Sequence, residues 1–346
     1  MSDDLSIVDA NHALANGFNA LGADPTAYAP RRKPTWRDDA FTARTLQARS
    51  YPEIKFIVPE IIPEGLSLLV GRPKIGKSWF ALDIALSIAA GRVCLGDKEP
   101  EPGDVLYCAL EDNERRLKNR IRKVLPGSSA WPERLTLSTK WRRLNAGGVQ
   151  DIADWASHVA RPRLVLLDTL ANVRPISTQE GYAQDYKALT DVHRIANDLG
   201  IGVVALHHQR KVDAEDPLDT VSGTLGIVGC ADTTLILSSG KGGKTLYVRG
   251  RDIEEAEHAV EFDAATCRWR ILGSADDVRR SDTRKKILAA LLEHADVMGP
   301  REIAEASRLP ESVVKVRLAD MLRDGEVLKR GHGKYAHPSI GEALQS

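Results

Sequence analysis

Apolar residues in this chain gather into short unbroken runs separated by amphipathic stretches. Leu66–Val70, Val105–Leu110, Leu164–Leu167 and Val203–Leu206 are almost wholly aliphatic. Runs this short that are apolar on both faces predict strands buried inside a mainly parallel sheet. Between them, Trp79–Ala90, Asn113–Val124 and Tyr186–Leu199 read as helices, with Gly91 where a C-terminal cap belongs. Shorter β-like runs follow at Thr234–Ser238, Thr245–Arg251, Ala259–Phe262 and Arg268–Leu272. From about 36 to 273 this predicts an α/β domain, a mainly parallel sheet flanked by helices.

Beyond Gly273 the pattern changes. Gly273–Asp277 reads as a linker, placed over 274–280. Thr283–Ala295 then puts Ile287, Leu288, Leu291 and Leu292 on one side of a helix. Pro300 opens a second helix through Ser307, and Glu311–Asp324 forms a third, ended by Gly325. Val327–Arg330 and Lys334–His337 are strands joined through Gly331 and Gly333. A helix-turn-helix followed by a β-hairpin is a winged-helix layout, expected over 281–338. Residues 1–35 and 339–346 read as tails.

The chemistry is carried first by Gly71-Arg72-Pro73-Lys74-Ile75-Gly76-Lys77-Ser78, a G-x-x-x-x-G-K-S phosphate-binding loop between a strand and a helix. Backbone N–H groups of such a loop wrap nucleotide phosphates, the lysine reaches the outer phosphates and the serine hydroxyl holds Mg²⁺. Trp79 is the next residue along the helix. In an open α/β sheet ligands bind beyond the carboxyl ends of the strands. There the sequence places Glu111, Asp168 and His207-His208. Asp168 is read as the second metal-side group, or as a helix cap because Thr169 follows. Glu111 is read as the carboxylate that orients and deprotonates water, or as an acid complementing a helix dipole. Asp112 is read as the cap. Adjacent strand residues face opposite ways, so one of His207 and His208 faces the site and senses the outer phosphate. Arg249 and Arg251 share one face of a strand. They are read as arginines that reach a neighbouring subunit's phosphates, or as partners of Asp252, Glu254 or Glu255.

Composition narrows the field only partly. The chain has 346 residues, 42 % apolar and 28 % charged, with zero net charge, so any basic surface is local. Its four scattered cysteines argue against a disulfide scaffold or a zinc site and suit a reducing cytoplasm. No apolar run is long enough to span a membrane, and the start lacks the basic residues of a secretory signal. In the C-terminal unit Lys315, Arg317, Arg323, Lys329, Arg330 and Lys334 make a modestly basic surface suited to DNA phosphates, or alternatively a module that packs on protein.

Taken in order, the phosphate loop, Glu111, Asp168, Leu206-His207-His208 and Arg249-Gly250-Arg251 resemble a RecA-type ATPase, over about residues 45–270. Within that class they most resemble the RepA-type replicative helicases of plasmids and phages. The resemblance implies a homo-oligomer, a hexameric ring with ATP and Mg²⁺ between subunits, that moves single-stranded DNA through its channel. By position, 174–185 and 210–226 match the DNA-facing loops, the second containing Arg210 and Lys211. That second loop also holds Asp213, Glu215, Asp216 and Asp219 and no aromatic residue, which departs from a single-strand platform. The alternative is an ATP-switched DNA-binding regulator or accessory ATPase without unwinding activity.

Overall fold

In the computed structural model the aliphatic runs lie side by side in one sheet. It describes residues 40–51, 53–127, 130–175, 181–210, 214, 216–221, 225–240, 243–294, 296–331 and 333–341. The chain divides into two units, Met1–Glu53 and Ile54–Ser346. The first is described from residue 40. It contains α1 (Ala43–Gln47), started by the Thr42 hydroxyl accepting from the Thr45 amide, and a stack of Arg49 on Phe41. The tail expected over 1–35 lies outside the described residues.

The second unit begins with a small hairpin, β1 (Phe56–Val58) and β2 (Ile62–Pro63). The core follows as β3 (Gly65–Gly71), α2 (Lys77–Ala90), β4 (Asp104–Ala109), α3 (Glu114–Val124), β5 (Leu135–Ser138), α4 (Gly148–His158), β6 (Pro162–Asp168), α5 (Leu170–Val173), α6 (Gly181–Leu199) and β7 (Gly202–His208). It continues with α7 (Leu225–Cys230), β8 (Thr233–Gly240), β9 (Gly243–Gly250), β10 (Ala256–Asp263) and β11 (Arg268–Ser274). The nine strands run in the order β11-β10-β9-β8-β3-β7-β6-β4-β5. From β8 to β5 every pairing is parallel; β9, β10 and β11 extend the sheet antiparallel. The sheet is thus the mainly parallel one predicted.

Continuous apolar strands are explained by cores on both faces. Leu69, Tyr107, Leu164, Leu166, Val204 and Leu206 pack with α2 and α3. Leu66, Leu68, Leu106, Val165, Val203 and Ala205 pack with α4 and α6. The hand of each strand's alternation therefore decides which side of the sheet its terminal polar residue occupies.

A buried carboxylate joins the far edge of the sheet to the helix at its centre. Asp83 of α2 is 0 % exposed. Its Oδ1 accepts from Arg268 Nε at 2.7 Å and its Oδ2 from the Trp269 amide at 3.3 Å. Burial pushes the Asp83 carboxyl up from its usual range, and the Arg268 charge works against that shift.

The C-terminal elements are α8 (Ala275–His294), α9 (Pro300–Ser307), α10 (Glu311–Arg323), β12 (Leu328–Lys329), β13 (Tyr335–Ala336) and α11 (Pro338–Gly341). Ile287, Leu291, Ile303, Val314, Leu318 and Met321 form their core. This is the winged-helix region expected, with two differences. The linker placed at 274–280 is helical: α8 starts at Ala275, with Asp276 and Asp277 as acids in its first turn, where they favour a helix N-terminus. Leu292, assigned to the buried side, is 53 % exposed. Met298 also pairs with Tyr335, adding a bridge to the wing. In the 339–346 tail, residues up to Gly341 belong to α11 and the remainder lies outside the described residues.

Removing the Asp83 carboxylate takes the charged partner from a partly buried guanidinium, which keeps only Ser87 and the Val93 carbonyl, and takes the side-chain acceptor from a backbone amide. Asp83→Ala is expected to cost about 3 kcal/mol. The check is a lower urea midpoint at unchanged slope; an unshifted midpoint would remove the clamp from the account.

Candidate nucleotide site

The phosphate loop leaves β3 and enters α2 through two left-handed residues, Lys74 (φ 65°) and Gly76 (φ 112°). Gly76 is the N-cap, and its carbonyl accepts from the Trp79 and Phe80 amides. It also packs on the ring of Trp269, whose Nε1 donates to the Gly76 carbonyl at 3.3 Å. A Cβ at Gly76 would lie 2.7 Å from Trp269 Cζ2, so both the turn and the packing require glycine. Turning backbone N–H groups of this kind, at the start of a helix of 14 residues, form an anion cradle. A cavity of about 460 Å³, lined by Arg72, Lys74, Gln209, Thr220 and Ser238 among others, borders the loop.

Lys77 is buried, and its Nζ donates to the carbonyls of Gly71 at 2.7 Å and Arg72 at 3.3 Å. Burial lowers its pKa, while the charges of Asp168 and Glu111 oppose that shift. Those two carboxylates therefore lie within electrostatic reach of the ammonium. Asp168, at the end of β6, accepts from Tyr107 Oη at 2.8 Å on Oδ2, and the Ser78 hydroxyl also lies against its carboxylate. Its Oδ1 is buried without a hydrogen-bond partner. Burial raises the Asp168 pKa, Tyr107 and Ser78 pull it down, and Glu111 pushes it up. A buried oxygen left unpaired beside a serine hydroxyl is a donor set that fits a hard divalent cation such as Mg²⁺. The Thr169 hydroxyl donates to Glu111 Oε1 at 3.1 Å.

Glu111 lies two residues past β4, on a turn fixed from outside. Asp112 pairs with both Arg116 and Arg120, and Arg116 also donates to the Glu111 carbonyl at 3.0 Å. Arg120 lies 4.8 Å over the Trp79 ring, tying this turn to the first turn of α2. The cap of α3 is Asn113, whose side chain accepts from the Arg116 amide, not Asp112 as expected. Asp112 is instead drawn to the two arginines one and two turns along. Thr169, not Asp168, occupies the N-cap of α5.

β7 runs between β3 and β6, with Val70 beside His207 and Gly71 beside His208. Val204 and Leu206 pack on the α2 side and Val203 and Ala205 on the α6 side. Continued alternation puts His208 on the side of α2 and Asp168, and the buried His207 on the other.

Arg251 is not at this end. Arg251 accompanies Asp232, whose amide bonds to Leu66 at the start of β3; Arg249 pairs in register with Thr234 of β8. Arg251 thus lies roughly 17 Å along the sheet from the loop. Arg249 pairs with Asp216 at 3.2 Å and Glu255 at 3.7 Å. Glu255 is one of the acids named as its alternative partners.

Of the expected DNA-facing loops, the first is shorter because α6 takes up 181–185 from its end, and 176–180 lie outside the described residues. In the second, a 3₁₀ turn at Pro217–Thr220 is capped by Asp216, and the Gln209 side chain donates to Thr220 at 2.8 Å. Lys211, Asp213 and Glu215 lie outside the described residues. On α10, Lys315 pairs with Glu311 at 2.7 Å, and Arg317 and Arg323 both pair with Asp320; Lys334 pairs with Glu302 at 3.5 Å.

Sequence reading missed Tyr107, Thr169 as a donor, Arg120 and Trp269. Tyr107 was legible in principle, because alternation puts it on the face of Ala109 and Glu111. The partners of Arg120 and Trp269 come from other elements and carry no local signal.

A phosphate loop feeding a helix, with an aspartate and a glutamate at neighbouring strand ends, defines a P-loop ATPase-type domain on a mainly parallel sheet. The chain belongs to the AAA domain family, matched over residues 31–214, and residues 280–325 match the winged helix-turn-helix DNA-binding family. Among solved structures it is similar to an ATPase domain (14 % identity, TM-score 0.49, covering 78 % of this chain and 100 % of that one). It is also similar to a DnaB-like replicative helicase (14 %, 0.49, 66 % of each chain) and to the KaiC-like protein PH0186 from Pyrococcus horikoshii OT3 (13 %, 0.44, 62 % and 93 %). No described helix is long and apolar enough to cross a membrane.

Gly76→Ala adds a methyl against Trp269 at a left-handed φ. It is expected to cost about 1–3 kcal/mol and to weaken nucleotide binding. Titration of a fluorescent ATP analogue checks this; wild-type affinity would show that the loop tolerates a Cβ.

Proposed function

We propose that this protein is an ATP-hydrolysing, ring-forming DNA motor that serves replication of a plasmid, phage or other mobile element. The observation that carries the reading is the separation of two sets of groups. Lys77, Ser78, Glu111 and Asp168 gather at one end of the sheet, while Arg251 stands near the other, too distant to act on its own chain's phosphates. A site whose arginine comes from the next protomer needs an oligomer, and the resemblance to RepA-type helicases suggests six copies.

In this reading the loop backbone from Gly71 to Gly76 and Lys77 hold the phosphates. Ser78 and Asp168 hold Mg²⁺, which when bound neutralises phosphate charge. Glu111, steadied by Thr169, orients and deprotonates the attacking water. His208 is the better placed of the two histidines to sense the outer phosphate. Arg251, with Arg249, completes the neighbour's site. The ATPase part ends with β11, and the winged-helix part begins with α8. Arg210 and Lys211 are proposed to face single-stranded DNA. Lys315, Arg317, Arg323, Lys329, Arg330 and Lys334 are the proposed contacts of the winged helix.

A second reading, an ATP-switched DNA-binding regulator, is favoured by one observation. The second loop sets Asp213, Glu215, Asp216 and Asp219 against Arg210 and Lys211, which leaves little unbalanced positive charge to hold a phosphate backbone in a channel.

The ATPase rate with and without single-stranded DNA, followed by unwinding of a forked duplex, separates the two. The motor is expected to be stimulated and to unwind. Turnover that ignores DNA, with no unwinding, would leave the regulator. Lys77→Ala is expected to abolish nucleotide binding or turnover in either case, and unchanged activity would refute the site. Arg251→Ala is expected to cut turnover and spare binding, and mixing it with Glu111→Gln protomers is expected to restore part of the activity. Absence of recovery would make Arg251 a structural residue.

A further inference from the structure

A second polar cluster gathers around a buried carboxylate at the opposite end of the sheet from the phosphate loop, and only its Arg251 enters the proposed chemistry. Asp232, 7 % exposed, precedes β8. Its Oδ2 accepts the Leu66 amide at 2.9 Å. The carboxylate presses so closely on β3 that a Cβ at Gly65 would lie 2.5 Å from Oδ2. Its Oδ1 pairs with His193 Nε2 at 2.8 Å and with Arg251 Nη1 at 3.5 Å. Arg251 also donates from Nη2 to the Gly229 carbonyl at 3.2 Å and from its backbone amide to the Asp232 carbonyl at 2.9 Å.

We infer that Asp232 is a positioning residue for Arg251, holding its guanidinium in place to meet the phosphates bound by an adjacent copy of this chain. This rests on the reading of Arg251 as acting on the neighbour's nucleotide. The Arg251 side chain is 60 % exposed, so its pairing with Asp232 adds little to stability. What the pairing does supply is direction. A free arginine side chain samples many rotamers, whereas this one is tethered on one edge by a carboxylate and a carbonyl. The remaining N–H groups of the guanidinium stay available for an oxyanion. The tether is itself immobile, since the Leu66 amide fixes one oxygen and His193 braces the other. Such a supported side chain is what transition-state positioning requires.

The test uses the full chain. Asp232→Asn keeps the shape and can still accept the Leu66 amide, but loses the charge that holds Arg251. Its kcat is expected to fall on the order of tenfold to a hundredfold. Nucleotide affinity is expected to remain, because the variant's own phosphate loop is intact. Mixing it with Glu111→Gln protomers is expected to restore turnover, since each Glu111→Gln copy carries an intact Asp232–Arg251 pair. A merely structural role would damage the variant's own site, so lost turnover without recovery on mixing overturns the inference, as does unchanged kcat. Arg251→Ala is measured in parallel. If it leaves turnover intact, the neighbour-acting reading falls and takes the inference with it. If it lowers turnover and Asp232→Asn does not, only the inference falls. Should Asp232→Asn fail to fold, His193→Ala leaves the Leu66 bond untouched and is read by the same mixing assay. There a reduced but restorable rate supports the inference and an unreduced rate overturns it.

Discussion

The contact of Asp83 with Arg268 and Trp269 holds the site in shape. It reaches from the middle of α2 to the last strand of the sheet, which lies four places away from β3 in strand order. Beside it, among the described residues, only the Arg268–Ser87 and Trp269–Gly76 hydrogen bonds add polar contacts of β11 with α2, and the rest is apolar packing, which sets distance but not register. With it Trp269 is fixed against Gly76, and the loop entering α2 has a rigid floor. A fully buried carboxylate is costly unless it is paired and hydrogen-bonded. Here it is both, so the charge specifies one arrangement of helix and strand.

The phosphate-loop end shows a similar division of labour. The groups that would touch phosphate or metal are few and stand on strand or helix ends. Around each is a partner that fixes it: Tyr107 on Asp168, Thr169 on Glu111, and the Asp112–Arg120–Trp79 chain on the turn that presents Glu111. A buried aspartate and an exposed glutamate lie within electrostatic reach of one buried ammonium. Each of these charges is sensitive to the others, and an arriving anion or cation changes the balance for all of them.

Much of this was legible along the chain. Lys77 and Ser78 lie in a contiguous pattern, and Asp168 and Glu111 follow aliphatic runs whose ends a parallel sheet must gather. Those inferences need only local sequence and one topological rule. Asp83 with Arg268, and Asp232 with His193 and Arg251, join residues far apart in sequence, and single-residue chemistry does not announce such pairs. β5 escaped notice because as an edge strand it is half exposed and carries Thr136 and Ser138 in place of an aliphatic run. The supposed linker misled for a definite reason. Gly-Ser-Ala-Asp-Asp has the composition of a flexible joint, but small and acidic residues also suit the opening turn of a helix, and tertiary packing chose the latter: Ala275 is buried and Arg279 pairs with Glu257 of β10 at 2.6 Å.

That continuous helix alters the mechanics of the molecule. α8 has 20 residues, a rod about 30 Å long, rooted directly in the end of β11. β11 is in turn bolted to α2 through Asp83. No slack segment intervenes between the helix that begins at the phosphate loop and the three-helix head that ends the chain. A tilt of α2 of a few degrees would therefore swing the head by ångströms, as a crank turns its handle.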